Sequence, residues 1–147
     1  MVQFEANVDA DRRAWLAQRL GADNVAASPH LARLRGTDAE DEMALHLFAL
    51  DDEGTIVGGL AGYTWAYWLH VDLLWVDPTR RGTGLGAELL ERAEKIALTE
   101  RDCRHVRLET WEFQAPGFYR KQGYELVGTV PDYPPGSTEY IFAKRLA

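Results

Sequence analysis

The sequence predicts an α+β fold built on a mixed sheet, and three observations carry that expectation. Segments of strand character cluster in the middle of the chain and again at its end, instead of alternating one by one with helices. Two amphipathic helical patterns are long enough to cover a sheet. At 147 residues the chain suits a single domain, 1–147, that buries a proper core without staples.

The elements follow in order. "VQFEANV" alternates well enough for a first strand. Asp9 is placed to cap a helix carrying Trp15, Leu16 and Leu20 on one side and stopping near Gly21. Pro29 and Gly36 interrupt the next stretch, with a short helix around "HLARL". "MALHLFAL", the turn "DDEG" and "TIVGGLAGYTW" read as two strands of a hairpin. "YWLHVDLLWV" is a third strand, ended by Pro78. A glycine-rich loop follows, then a helix from about Leu85 to Thr99 with Leu89, Leu90, Ala93, Ile96 and Ala97 on one face. "HVRLETW" is a strand, and "APGFYRKQ" is a short helix with Pro116 in its first turn and Gly123 closing it. "YELVGTV" and "TEYIFAKRL" are the last strands, separated by the turn "DYPPGS".

Composition narrows the function. The net charge of −7, from 16 basic and 23 acidic residues, is a poor basis for nucleic-acid binding, where phosphate contacts dominate affinity. Acids gather at Asp38–Glu42 and Asp51–Glu53, runs that suit solvated loops. The longest apolar run, "VGGLAGYTWAYWLHVDLLWV", is broken by glycines, His70 and Asp72, so it reads as buried strands and not as a membrane span. With Cys103 alone no internal disulfide can form, and the N-terminus has no basic-then-apolar leader; both fit a cytoplasmic protein in a reducing compartment. His30, His46 and His105 lack ligand spacing, so no metal is expected.

The stretch "RRGTGLGAELL" is the most informative in the chain. Between a strand's carboxyl end and a helix's first turn, unpaired backbone N–H groups and the helix dipole favour an anion. Glycine at Gly82, Gly84 and Gly86 lets that backbone approach phosphate oxygens, and Arg80 and Arg81 add positive charge at the mouth. A tight turn with no ligand would use the same glycines. A P-loop is excluded because G-x-x-x-x-G-K-[ST] is absent. Gly82, Gly84 and Ala87 match the looser dinucleotide fingerprint, with Glu109 downstream, but repeated βαβ units do not follow.

"LLWVDPTRRGTGLGAELLERAEKIA" resembles the acetyl-CoA signature of the GNAT superfamily of N-acetyltransferases, [RQ]-x-x-G-x-[GA], through Arg81, Gly84 and Gly86. "APGFYRKQGYELVG" resembles the family's second signature, in the family's order and spacing. The resemblance covers roughly residues 42–147 and is greatest to a group of small bacterial members of mostly unassigned substrate. It implies a mostly antiparallel central sheet flanked by helices and splayed at the strand carrying residues 67–77. It implies acetyl-CoA, or another acyl-CoA, as co-substrate, with the backbone near Leu74, Trp75 and Val76 free to bind the pantetheine arm. Arg81, Gly82, Thr83, Gly84, Leu85, Gly86 and Ala87 would take the pyrophosphate, and Phe118 is the apolar residue of the second signature. Two positions depart from the pattern: Glu112 stands where many relatives carry Asn against the pantetheine arm, and Ser137 where the subgroup often has His.

Amide formation from a thioester needs a neutral amine, a stabilised oxyanion and a protonated leaving thiolate. The resemblance puts the Tyr119 hydroxyl beside the CoA sulfur as the acid. For the base, alternation sets His70, Asp72, Leu74 and Val76 on one strand face, and a His and a carboxylate two residues apart are costly to bury without purpose. Asp72 would draw a proton from the ammonium through water, or hold a cationic substrate, with His70 orienting it or acting itself; a satisfied pair near the sheet edge is the bland alternative. Glu109, Glu112 and Asp132 are weaker candidates. Tyr63, Trp65, Tyr67, Trp68, Trp75 and Trp111 serve packing first and an aromatic acceptor wall second. The expected activity is N-acyl transfer from acyl-CoA to a small-molecule amine. A different donor (a longer acyl-CoA or an acyl carrier protein) and a non-catalytic CoA-binding module are the alternatives. Dimers are common among relatives.

Overall fold

The computed structural model describes residues 1–147, and the chain divides into two compact units, Met1–Thr37 and Asp38–Ala147. In the first, α1 spans Ala10–Ala27. As expected, Asp9 caps it: its carboxylate accepts from the Arg12 amide at 2.9 Å. The helix does not stop near Gly21, because an interior glycine costs only about 1 kcal/mol, too little to break a capped helix. It ends at Ser28, whose hydroxyl accepts from the Leu31 amide and opens the one-turn α2, Pro29–Ala32. The expected strand at "VQFEANV" does not form; residues 1–9 carry no regular structure. Alternation describes a surface, but a strand exists only where a neighbour takes up its N–H and C=O groups.

The second unit carries the sheet. Its strands are β1 (Met43–Leu50), β2 (Ile56–Trp65), β3 (Trp68–Val76), β4 (His105–Trp111), β5 (Glu125–Pro131) and β6 (Thr138–Arg145), ordered β1-β2-β3-β4-β6-β5. Every neighbouring pair is antiparallel except β3 and β4, which run parallel. Helix α3 (Leu85–Arg101) supplies the crossover that a parallel pair requires. It buries Leu89, Leu90, Ala93 and Ala97, four of the five residues anticipated for its apolar face, the last three in one core cluster with Leu60, Leu69, Val106 and Phe142 of the sheet. Polar contacts fix α3 in place. The Arg101 guanidinium donates to the Met43 and Ala44 carbonyls at 2.9 Å each. The buried Glu94 carboxylate accepts from the Tyr124 hydroxyl at 2.6 Å and from Lys144 at 2.8 Å. A buried charge so paired avoids the cost of isolation.

Two features of β3 shape the site. Its pairing with β4 covers only Trp68↔His105 to Val71↔Leu108, although both strands continue, to Val76 and Trp111. Beyond Val71 the two strands therefore diverge, and the edge of β3 that faces β4 has no strand against it. This is the expected splay. The second feature is a bulge. Ala61 pairs with Leu73 and Gly62 with Val71, leaving Asp72 as the extra residue.

The bulge corrects an expectation drawn from simple alternation. Antiparallel partners share a face. Thr64 and Gly62 on β2 therefore face the same way as Leu69 and Val71 on β3, and past the bulge Leu60 and Gly58 share that face with Leu74 and Val76. It is the α3 face, because a Cβ at Gly58 would meet Leu85 and Leu89. His70 pairs with Tyr63 on the opposite face, so His70 does not share a face with Leu74 and Val76. One extra residue shifts the parity of everything after it.

Candidate active site

The splay opens into a cleft of about 690 Å³, a size suited to a small-molecule or cofactor site. Its floor comes from β3 and β4, and its far wall from the loop after β3, the first turn of α3 and the short helix α4 (Pro116–Lys121).

The loop has the geometry of an anion site. Gly82 and Gly84 have φ of +77° and +87°, and nothing lies within 4 Å of the space their side chains would fill. Gly84 is the N-cap of α3 and brings no side chain to its first-turn amides. Those N–H groups, at the positive end of a 17-residue helix, are left for a ligand. The loop is held from both ends. Asp77 accepts from the Thr79 amide at 2.9 Å and from its hydroxyl at 2.6 Å, and these bonds keep its carboxyl below the usual range. Arg81 Nε donates to the Val76 carbonyl at 3.0 Å, tying the loop to the end of β3.

Most residues anticipated for the donor meet in this cleft. Leu74 and Val76 line it from β3, and Arg81, Gly82 and Gly84 from the loop. Leu85, Gly86 and Ala87 line it from α3, and Phe118 from α4. Trp75 and Thr83 do not. The bulge turns Trp75 to the face opposite α3, paired with Gly59, and the Thr83 hydroxyl is spent on the Arg80 carbonyl.

Of the anticipated catalytic residues and weaker base candidates, Tyr119, Asp72 and Glu109 line the cleft. Tyr119 packs against Phe118, Tyr124 and Phe142, and burial pushes its phenol above the ordinary value of 10.0. It therefore stays a proton donor at neutral pH. Asp72 is half-exposed at its bulge, 3.9 Å from His70 Nε2. His70 itself lies outside the cleft wall and is occupied at both ring nitrogens. Nδ1 is 2.7 Å from the Tyr63 hydroxyl, and Nε2 is 2.7 Å from Glu109 Oε2. Arg107 Nη2 donates to the other Glu109 oxygen at 3.0 Å. Burial would raise the Glu109 carboxyl, but His70 and Arg107 outweigh it and hold it below the usual carboxylate range.

Glu112 takes no part in the cleft wall; its carboxylate accepts from the Thr138 amide at 2.8 Å and fastens the end of β4 to β6. Asp132 also lies off the cleft, in the "DYPPGS" turn. Gln114 was not anticipated. It lines the cleft, and its side-chain oxygen accepts from the Thr110 hydroxyl at 2.7 Å and the Trp111 amide at 3.1 Å, shaping the turn between β4 and α4. Nothing in sequence spacing singles it out. The full weight of Glu109 also escaped notice, because its imidazole partner comes from another strand, β3. Trp111 lines the cleft, with Phe113 stacked on it at 5.7 Å. Cys103 is fully buried and burial raises its thiol, which fits a packing role.

Comparison with known proteins agrees with this architecture. The chain matches the model of the acetyltransferase (GNAT) family over residues 10–124. It is 46% identical over 131 residues to the blasticidin-S acetyltransferase of Streptomyces morookaense, covering 87% of this chain and 96% of that one. An acetyltransferase of Agrobacterium fabrum is 31% identical over 116 residues, covering 79% of this chain and 82% of that one. The crystal structure of an acetyltransferase from Bacillus cereus aligns with a TM-score of 0.83 at 33% identity, over 98% of each chain. A glycine loop at the mouth of a splayed parallel strand pair thus sits in a sequence alike from end to end to known acetyltransferases: the chain belongs to the GNAT family of acetyl-CoA-dependent N-acetyltransferases.

Proposed function

We propose that this enzyme acetylates the amine of a small molecule with acetyl-CoA as donor, and that the antibiotic blasticidin S is the first acceptor to try. The observation that carries the reading is the cleft itself: one cavity joins the open amides of the glycine loop, the unpaired edge of β3 and the Tyr119 hydroxyl. Acetyl-CoA supplies a thioester and a pyrophosphate. The amides from Gly82 to Ala87, with Arg80 and Arg81, take the pyrophosphate. The β3 backbone near Leu74 and Val76 takes the extended arm by hydrogen bonds that β4 has left free. Tyr119 donates its hydrogen bond to the sulfur as negative charge develops there. Asp72, half-exposed on the cleft wall, attracts and holds the cationic ammonium of the acceptor. The similarity to the blasticidin-S acetyltransferase supports a small antibiotic-like amine over a protein acceptor.

The test is direct. Protein, acetyl-CoA and a panel of amines headed by blasticidin S are mixed, and release of free thiol is followed. Turnover above the rate of acetyl-CoA hydrolysis is expected with at least one amine. Tight CoA binding by calorimetry with no turnover on any amine would leave a binding module, and preference for acyl carrier protein would move the donor. The loop has its own check. Gly84→Leu forces a side chain into φ +87°, a cost of about 1–2 kcal/mol for an L-residue, and places bulk where the amides converge. CoA affinity should fall by about tenfold, since about 1.4 kcal/mol is one decade. Unchanged affinity would put the diphosphate elsewhere.

A further inference from the structure

We infer that Tyr63, acting through His70 and Glu109, is the group that takes the acceptor's proton, so that a hydroxyl on β2 begins a relay running across three strands. The inference rests on the proposed acetyl transfer and goes beyond it by naming the proton acceptor; of the relay, Glu109 lines the cleft.

The argument starts from the faces of the sheet. The glycine loop and α3 occupy one face of β3, so the donor lies there. Tyr63, His70, Arg107 and Glu109 all project from the other face: Tyr63 pairs with His70, His70 with Arg107, and Glu109 shares the parity of Arg107 on β4. An acceptor amine reaching the thioester through the splay must come from that face.

With a neutral imidazole the hydrogen-bond chain has one consistent assignment. Glu109 is a carboxylate, so His70 Nε2 carries a proton and donates to it at 2.7 Å. Nδ1 then holds the lone pair, and the Tyr63 hydroxyl donates to it at 2.7 Å. This is the arrangement in which a carboxylate fixes the tautomer of an imidazole and the imidazole bases a hydroxyl. His70 cannot accept a proton from the amine directly, because both its nitrogens are engaged. Tyr63 can pass one on. As a proton leaves the ammonium nitrogen for the Tyr63 oxygen, the Tyr63 hydroxyl proton moves to His70 Nδ1. The phenol ends neutral, and an imidazolium stands against the Glu109 carboxylate, with Asp72 at 3.9 Å adding further support. The amine is left neutral with its lone pair free to attack. His70 later returns the proton to solvent.

The surrounding charges favour a stored proton. Burial raises the Tyr63 phenol, and Glu42, Asp72 and Glu109 raise it further, while Arg107 alone opposes them. Tyr63 therefore does not rest as a phenolate; it ionises only as a proton arrives. Arg107 keeps Glu109 charged, so the carboxylate is the fixed end of the chain.

Two measurements decide the matter. In the first, kcat/KM is followed against pH with saturating acetyl-CoA for wild type, Tyr63→Phe and Glu109→Gln. Tyr63→Phe should lose at least tenfold at neutral pH, within the range for acid–base groups. Glu109→Gln should lower the rate by a similar factor, because no carboxylate then fixes the His70 tautomer. A Tyr63→Phe enzyme within twofold of wild type, with the same acid limb, would overturn the relay. The second needs no turnover: nitrogen NMR of the His70 ring in wild type at pH 8. Protonated Nε2 with bare Nδ1 is expected, and Tyr63→Phe should alter the Nδ1 signal while leaving Nε2 bonded. The opposite tautomer would refute the relay even in an enzyme that turns over. Failure of wild type on every amine would instead strike the parent reading, and the tautomer would then decide the relay alone.

Discussion

Replacing Tyr119 by phenylalanine is expected to lower kcat by about 10²-fold, the low end for acid–base catalysis, with CoA affinity unchanged. The substitution removes one oxygen and leaves the ring where Phe118, Tyr124 and Phe142 hold it, so packing offers no competing explanation. Burial makes the Tyr119 phenol a weaker acid than usual. Full proton transfer to a thiolate is then uphill, and the contribution comes mainly from a hydrogen bond that strengthens as charge collects on sulfur. That bond is absent from the ground state, so kcat and kcat/KM should fall together while the donor's dissociation constant holds. The sign of the shift also fixes a pH window. A phenol raised above 10.0 stays protonated throughout the neutral range, so Tyr119 contributes no activity loss until alkaline pH. Steady-state kinetics with calorimetry would check both parts. Wild-type turnover in the variant would remove Tyr119 from the chemistry and leave it a core aromatic.

How far such a site can be read in advance depends on how local its determinants are. The loop from Arg80 to Ala87 is a continuous segment whose chemistry lies in its own glycines, and the structure places it as those glycines suggest. The face of α3 follows from spacing alone, since Leu89, Leu90, Ala93 and Ala97 lie on one stripe. The parallel pairing of β3 with β4 is different. No periodicity distinguishes it from antiparallel pairing, and the resemblance of two signatures in register implied only the splay. The relay residues sit on three strands, and their meeting depends on register. His70 and Asp72 were legible as unusual, but not their directions, because one bulged residue reverses the sense of everything beyond it. The signal for that bulge was present as Gly62 inside an otherwise good strand. The strand expected at "VQFEANV" failed for the converse reason: its pattern was local, while a strand's stability is not.

Gly62→Ala is expected to lower stability by about 3 kcal/mol or more, the upper end for overpacking. An added Cβ would stand 2.1 Å from the His70 carbonyl oxygen and 3.2 Å from Val71 Cα. Both are backbone atoms of the bulged strand, so no side chain can swing aside to make room. Relief must come from moving β3 away from β2 at the residue that carries the imidazole. At about 2–4 °C per kcal/mol for a chain of this size, the melting temperature should fall by roughly 6–12 °C. Gly128→Ala is the comparison: its new methyl would meet only Ile141 Cδ1, at 3.7 Å, an ordinary contact, and it should cost far less. Activity should follow geometry and not stability alone. At a temperature where Gly62→Ala is still folded, its kcat on the amine should remain depressed, because the distance from His70 to Tyr63 and Glu109 is set by the displaced segment. CoA affinity should hold, since the loop lies beyond the bulge and is anchored by Asp77 and Arg81. A variant with wild-type melting and wild-type turnover would mean that β2 and β3 accommodate a methyl group at their closest approach, and the bulge would then not be what sets the direction of His70.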